Sequence, residues 1–415
     1  MKPFVAALYG GIVPLIAVTS AGLLVLRLLR IRIRRGELWP LAVTLGSSVW
    51  AFLAYAMLSV GAVRRGHLYG LAAVLLLSAI FWRPRTSGDS DPAPRPGAPG
   101  ARLVSALPML LLAVVMAIFG STYLLAAAGP DTTLPGFDAP LAQASAAARS
   151  PRTAPVPGLQ SILLVAPFVL GGASAAAVFH LGYLFALALL CAAAARRLAL
   201  LWTDSRTAAW ACFAAGSLVF AAPALALAAC DARVELTGIA ALAAGLFLAV
   251  LAAARRSPAA AFASLLALVM APAAFTHASA FPGFLFLPFA RAWAVIPLAA
   301  TLLAVLIARY RWVLAMIVAF HFSTSWNGAA RLLAPTNLAL METLSWQDAT
   351  TSDRDAYLVR HLPGYIQARF LDESTPPGAR IAVDSPLALA WTTRHVVPFD
   401  AWAPVLGAAR EPGLR

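Results

Sequence analysis

Apolar runs of eighteen or more residues recur along the first 327 positions of this 415-residue chain, "LVSALPMLLLAVVMAIFGSTYLLAA" (103–127) among them. Each is long enough to cross a hydrocarbon core of ~30 Å as a helix. Inside lipid the backbone must satisfy its own hydrogen bonds, which leaves helices and closed barrels as spanning structures. The alternating pattern of a barrel strand is absent. The chain is 61% hydrophobic and 12% charged, about half the charge of an ordinary soluble domain. The expected fold is an all-α polytopic membrane protein.

Ten crossings are expected, over 4–28, 39–62, 67–82, 103–127, 174–195, 207–228, 236–254, 259–279, 290–307 and 312–327. The net charge of +14 does not point to nucleic acid, because residues 328–415 hold eight Arg against nine Asp/Glu and no basic folded face emerges. The excess sits in short loops: "RLLRIRIRR" (27–35), "RPR" (83–85), "ARR" (195–197), "ARR" (254–256) and "ARYR" (308–311). Such loops mark the cytoplasmic side and suit anionic headgroups. Both termini are then extracytoplasmic. "VRRGH" (63–67) dissents, falling in an outer hairpin. Residues 1–29 resemble a signal peptide, but a basic stop-transfer cluster follows, so a span is expected.

Residues 83–102, "RPRTSGDSDPAPRPGAPGAR", read as a disordered linker. It divides a three-span unit, 1–82, from a larger membrane unit, 103–327, with an outer loop at 128–158. "LQSILLVAPFVLG" (159–171) is too short to span and reads as a re-entrant or interfacial helix, followed by a turn at Gly171-Gly172. "FPGFLFLPF" (281–289) can lie along the surface in the same way. The tail 328–415 reads as a small extracytoplasmic α/β unit: a helix over 352–374 kinked or divided at Pro363, then strands near 376–385 and 395–400. Cys191, Cys212 and Cys230 show no metal or disulfide spacing.

The acids are the informative residues, since only eight occur before position 328. Glu37, Asp89, Asp91 and Asp204 lie beside arginines in the basic loops, where solvation suffices to explain them. The other four fall in two outer turns: Asp131 and Asp138 in "GPDTTLPGFDAPLAQ" (129–143), and Asp231 and Glu235 in "CDARVEL" (230–236). Two carboxylate-bearing turns on one face can build a base-plus-cation or base-plus-phosphate site. Acids are also simply tolerated in outer loops, and placement alone favours that plainer account. Arg149 and Arg152 flank Pro151 in the same loop. They fit phosphate oxygens or anchor headgroups equally well. His180, His277 and His321 are intramembrane ionisable groups without common spacing, and hydrogen-bonded neutral side chains inside a bundle are the plainer reading.

The order "FDAPLAQ", "PVPGLQSILLVAPFVLGG", "LCAAAARRL", "ALAACDARVELTGIAAL" and the tail "SDRDAYLVRHLPGYIQARFLDESTPPGARIAV" resembles the bacterial GT-C membrane glycosyltransferases. These are relatives of the protein O-mannosyltransferases and of the enzyme that adds aminoarabinose to lipid A. The resemblance covers most of the chain from about residue 103, and the tail is its most specific part. It implies a polyprenyl-phosphate-linked sugar donor, a lipid, glycan or protein acceptor, and transfer outside the inner membrane of a bacterium. Asp138 takes the place of the family's outer-loop base, with Asp131 beside it. Glu235 takes that of a second-turn carboxylate, and Asp231, Arg149 and Arg152 support the lipid phosphate. No cofactor is implied for certain; a divalent cation is the one candidate, and no metal ligands are assigned. The family's Tyr-His pair after the Asp is replaced here by Ala142-Gln143. That departure keeps open a catalytically inactive, partner-binding membrane subunit. A transporter is disfavoured by the scarcity of polar residues near mid-membrane.

Overall fold

A computed structural model describes residues 3–81, 99–128, 159–230, 234–271, 287–310, 312–326, 359, 363–376, 379–383 and 395–398. Helices are α1 (Pro3–Leu28), α2 (Arg35–Ser59), α3 (Arg65–Phe81), α4 (Pro99–Ala128), α5 (Leu159–Gly171), α6 (Ala173–Ala199), α7 (Ser205–Phe220), α8 (Pro223–Cys230), α9 (Val234–Arg255), α10 (Pro258–Leu268), α11 (Leu287–Ile307), α12 (Trp312–Trp326) and α13 (Pro363–Ser374). Two short strands, β1 (Arg380–Val383) and β2 (His395–Pro398), pair in parallel with Arg380 opposite His395. Up to residue 326 the described elements are all helices, as in an all-α membrane protein.

Local chemistry sets the helix ends. Asp204 caps α7 by accepting from the Thr207 backbone N–H at 3.1 Å, and Ser257 caps α10 by accepting from the Ala260 N–H at 3.3 Å, with Pro258 in the first turn. α7 stops at Phe220 and α8 resumes at Pro223, bent by 55°. Pro223 has no N–H to continue the ladder, and its ring crowds the preceding turn. The single crossing expected over 207–228 is therefore a broken one. α13 starts at Pro363 itself, where a proline costs nothing because first-turn N–H groups are unpaired anyway.

Among the described residues five helices are long and apolar enough to cross a membrane, or six if the bent pair counts as one span. The ten expected crossings are not all reached. The 17 residues of α3 rise only ~26 Å, and the 11 of α10 only ~17 Å, against a core of ~30 Å. The expected 259–279 span continues into 272–286, outside the described residues. Of the expected linker, residues 83–98 are also outside them, and α4 already begins at Pro99.

α6 is the hub. It packs against α1, α2, α4, α5, α7, α8, α9 and α11, and is apolar and alanine-rich all round, as a helix surrounded by protein should be. The N-terminal helices pack on it too, so α1 and α2 belong to the same bundle as the rest. Without a hydrophobic drive between helices in lipid, small residues permit the close crossings. A Cβ on Gly22 would stand 1.8 Å from the Ala42 carbonyl oxygen, and one on Gly46 1.8 Å from that of Val18. α5 is the short helix expected over 159–171. Ile162, Leu163, Leu164, Val165 and Ala166 are all buried against its neighbours, and Gly172, at φ +82°, makes the turn into α6.

Among the described residues the basic loops at 27–35, 195–197, 254–256 and 308–310 gather at one end of the bundle. Arg197 pairs with Glu37, Arg255 Nη1 donates to the Arg32 carbonyl, and Arg309 Nη2 donates to the Trp202 carbonyl at 3.4 Å. The dissenting "VRRGH" lies elsewhere for a structural reason. Arg65 Nε donates at 3.0 Å to the carbonyl of Val169, in the last turn of α5, where helix carbonyls lack partners and a cation is favoured.

Candidate functional site

Of the residues expected to carry chemistry, Asp131, Asp138, Arg149 and Arg152 lie in 129–158, and Asp231 in 231–233, all outside the described residues. Glu235 is described. It occupies the first turn of α9, away from the basic loops, and is only 7% exposed. Its Oε2 has no hydrogen-bond partner among the described residues. The helix N-terminus favours a negative charge there, but by only ~0.3–1 kcal/mol at exposed sites. An unpaired buried carboxylate costs several times that. A native structure carries such a group where something else meets it, or where it works.

Cys230 ends α8 and donates Sγ–H to the Tyr123 carbonyl of α4 at 3.7 Å, so α4 and α8 finish side by side. The loop 129–158 thus starts, after Ala128, at the same end as the turn before Glu235. The Tyr123 hydroxyl and the Ser217 hydroxyl are buried without partners among the described residues, and the Tyr123 ring rests on Phe220 at 5.8 Å.

His180 belongs to another set. Its Nδ1 lies 3.3 Å from the Ala176 carbonyl and its Nε2 3.2 Å from Thr237 Oγ1. A carbonyl can only accept, so in the neutral ring Nδ1–H donates to it and Nε2 accepts from the threonine hydroxyl. Tyr183, one turn on, pairs its hydroxyl with Ser47 Oγ at 2.7 Å. Thr237 follows Glu235 by two residues, ~200° around the helix. The histidine and the carboxylate therefore address opposite faces of α9. His321 likewise has partners, the Leu218 carbonyl at 3.1 Å and Ser325 Oγ at 3.4 Å. These two histidines tie helices together; His277 is outside the described residues. No group of three or more His, Cys, Asp and Glu side chains among the described residues gathers as a metal site.

Glu37 corrects an expectation. It is 3% exposed, not solvated. Arg197 grips it with Nε and Nη2 at 2.5 and 2.6 Å, and the Arg34 N–H donates to it at 3.2 Å. Asp204 is exposed, as expected, and in addition caps α7. The missed signal was spacing. Glu37 stands three residues after Arg34, where a carboxylate reaches back to the helix start.

A cavity of about 570 Å³ runs between α6, α9 and α11. Ile239, Leu242, Leu246 and Val250 form its α9 wall, and Arg34 and Arg197 stand at its basic end. Glu235 lies one turn before Ile239 on the same stripe, beyond the residues that line it.

Comparison with protein-family models, with curated proteins and with solved structures gives no match for this chain.

Proposed function

We propose that the chain is a GT-C-like glycosyltransferase of a bacterial inner membrane, moving a sugar from a polyprenyl-phosphate donor to an extracytoplasmic acceptor. The carrying observation is Glu235: a buried carboxylate whose Oε2 has no partner among the described residues, at the end of the bundle where the described part of α4 stops before the Asp-bearing segment. A reaction that separates a sugar from a phosphate needs such a group. As the acceptor oxygen bonds to the sugar, its proton passes to a carboxylate within hydrogen-bond reach, and the sugar–phosphate bond breaks. The leaving lipid phosphate takes the bonding electrons and is held by guanidinium groups. Asp138 is the base, with Asp131 beside it. Glu235 and Asp231 orient the acceptor, and Arg149 and Arg152 receive the phosphate. In this reading the basic loops are cytoplasmic and both termini extracytoplasmic, and α13, β1 and β2 belong to a small outer α/β unit.

The alternative is a membrane subunit that keeps the scaffold without the reaction. Ala142-Gln143, in place of the family's Tyr-His pair, favours it. The two readings separate in an assay with labelled polyprenyl-phosphate sugars and the full chain in vesicles. The enzyme reading expects transfer that falls by at least about 10²-fold, within the range of general-base effects, in Asp138→Asn and Glu235→Gln. Transfer equal in all three chains removes both residues from the mechanism. No transfer by the native chain with any donor favours the subunit.

A further inference from the structure

The cavity between α6, α9 and α11 is walled mostly by aliphatic side chains and runs along the bundle from one turn past Glu235 to the basic end. On α9 it extends from Ile239 to Ala254, a rise of ~22 Å. Its walls offer a chain-shaped apolar ligand much and a compact polar one little. One end is different. Arg34 and Arg197 line the cavity there. Arg32, Arg34 and Arg197 act on Arg255 electrostatically, with Glu37 as the opposing charge. Four guanidinium groups stand against one carboxylate, an excess of three positive charges. Arg197 is held in place, gripping Glu37 with Nε and Nη2 while its guanidinium lies 5.3 Å over the Phe247 ring. Its Nη1 stays outside the Glu37 pair.

A long apolar channel ending in crowded cations fits one class of molecule. We infer that the groove holds an acyl chain of an anionic bilayer phospholipid, whose phosphate sits between Arg34 and Arg197. Guanidinium forks match phosphate oxygens, and each cation near an anionic membrane surface adds ~1 kcal/mol. The excess charge selects the anionic headgroup, and the aliphatic walls replace neighbouring lipid chains. This inference does not rest on glycosyl transfer. It concerns the basic end of the bundle, and an inactive subunit would bind the lipid equally well.

Native mass spectrometry of the full chain in mild detergent tests it, titrating phosphatidylglycerol against phosphatidylcholine. One phosphatidylglycerol should be retained about tenfold more tightly than phosphatidylcholine, a difference of ~1.4 kcal/mol. Arg34→Gln, which leaves the Arg197–Glu37 pair untouched, should erase most of that preference while keeping the melting temperature. Leu242→Trp, which fills the groove, should weaken both lipids. If the tryptophan variant fails to fold, Arg34→Gln decides alone. Equal retention of the two lipids, or a preference unchanged in Arg34→Gln, overturns the proposal. So does displacement of the lipid by inorganic phosphate, which would mark an anion site without a chain. Co-purification of a prenyl phosphate or fatty acid in place of phospholipid overturns it as well.

Discussion

The two ends of the bundle treat their carboxylates in opposite ways. At the basic end Glu37 is gripped by Arg197 and by the Arg34 N–H, and Asp204 caps α7. At the other end Glu235 is almost as deeply buried, yet one of its oxygens is unpaired. Burial alone therefore does not distinguish a structural acid from a working one; the partner does. Where the protein needs a carboxylate for its own cohesion it supplies a cation or a backbone N–H. At Glu235 no described residue pairs with Oε2, and that makes the residue a candidate for chemistry.

The largest effect should come from removing Arg197. Arg197→Ala leaves Glu37 buried with the Arg34 N–H as its remaining partner and should cost ~3–5 kcal/mol, read as loss of folded protein in a detergent melt. Glu37→Ala should cost less, ~2 kcal/mol, because Arg197 keeps 25% of its side chain exposed and can turn to water. Equal losses would mean that the pair matters through packing, not charge. Next in size is Thr237→Val, which leaves His180 Nε2 without its donor. A cost of ~1–2 kcal/mol is expected for an orphaned buried acceptor. A melt unchanged by that substitution would show that the α6–α9 bridge contributes nothing.

Glu235→Gln sharpens the contrast because its sign should differ. Neutralising an unpaired buried charge should raise stability by ~1 kcal/mol, while the activity proposed for this end is lost. Stability gained at the expense of function is the usual mark of an active site. If Glu235→Gln instead destabilised the protein as Glu37→Ala does, the two ends would be alike and the carboxylate structural.

The membrane fold could be read from the sequence because apolar run length is a direct physical requirement of the bilayer. Its gathering of Arg residues in short loops also foretold which helix ends lie together. The break at Pro223 was not foreseen, although proline chemistry gives its cause, since an apolar run shows no interruption where only one N–H is missing. Glu37 was misread for a related reason. Its partner, Arg197, stands 160 residues away, and no local pattern announces a pairing across the bundle. Glu235 was singled out by its rarity, but its lack of a partner is a three-dimensional fact. Asp138 was found the same way, and lies outside the described residues.

Arg65 is the smallest and most discriminating case. Charge counting alone marks "VRRGH" as an exception, two adjacent arginines in a tight hairpin away from the basic loops. The contact from Arg65 Nε to the Val169 carbonyl gives the exception a local cause, because the last turn of α5 presents carbonyls that no backbone N–H can reach. Such a contact at an exposed position is worth ~0.5 kcal/mol. Arg65→Gln should lower stability by about that amount, and Arg65→Lys by less, since an ammonium still suits the helix terminus. Cysteine-accessibility mapping of residue 65 should place it on the opposite side of the membrane from residue 32. Labelling of both positions from the same side would dissolve the distinction between the two ends and return Arg65 to the basic set.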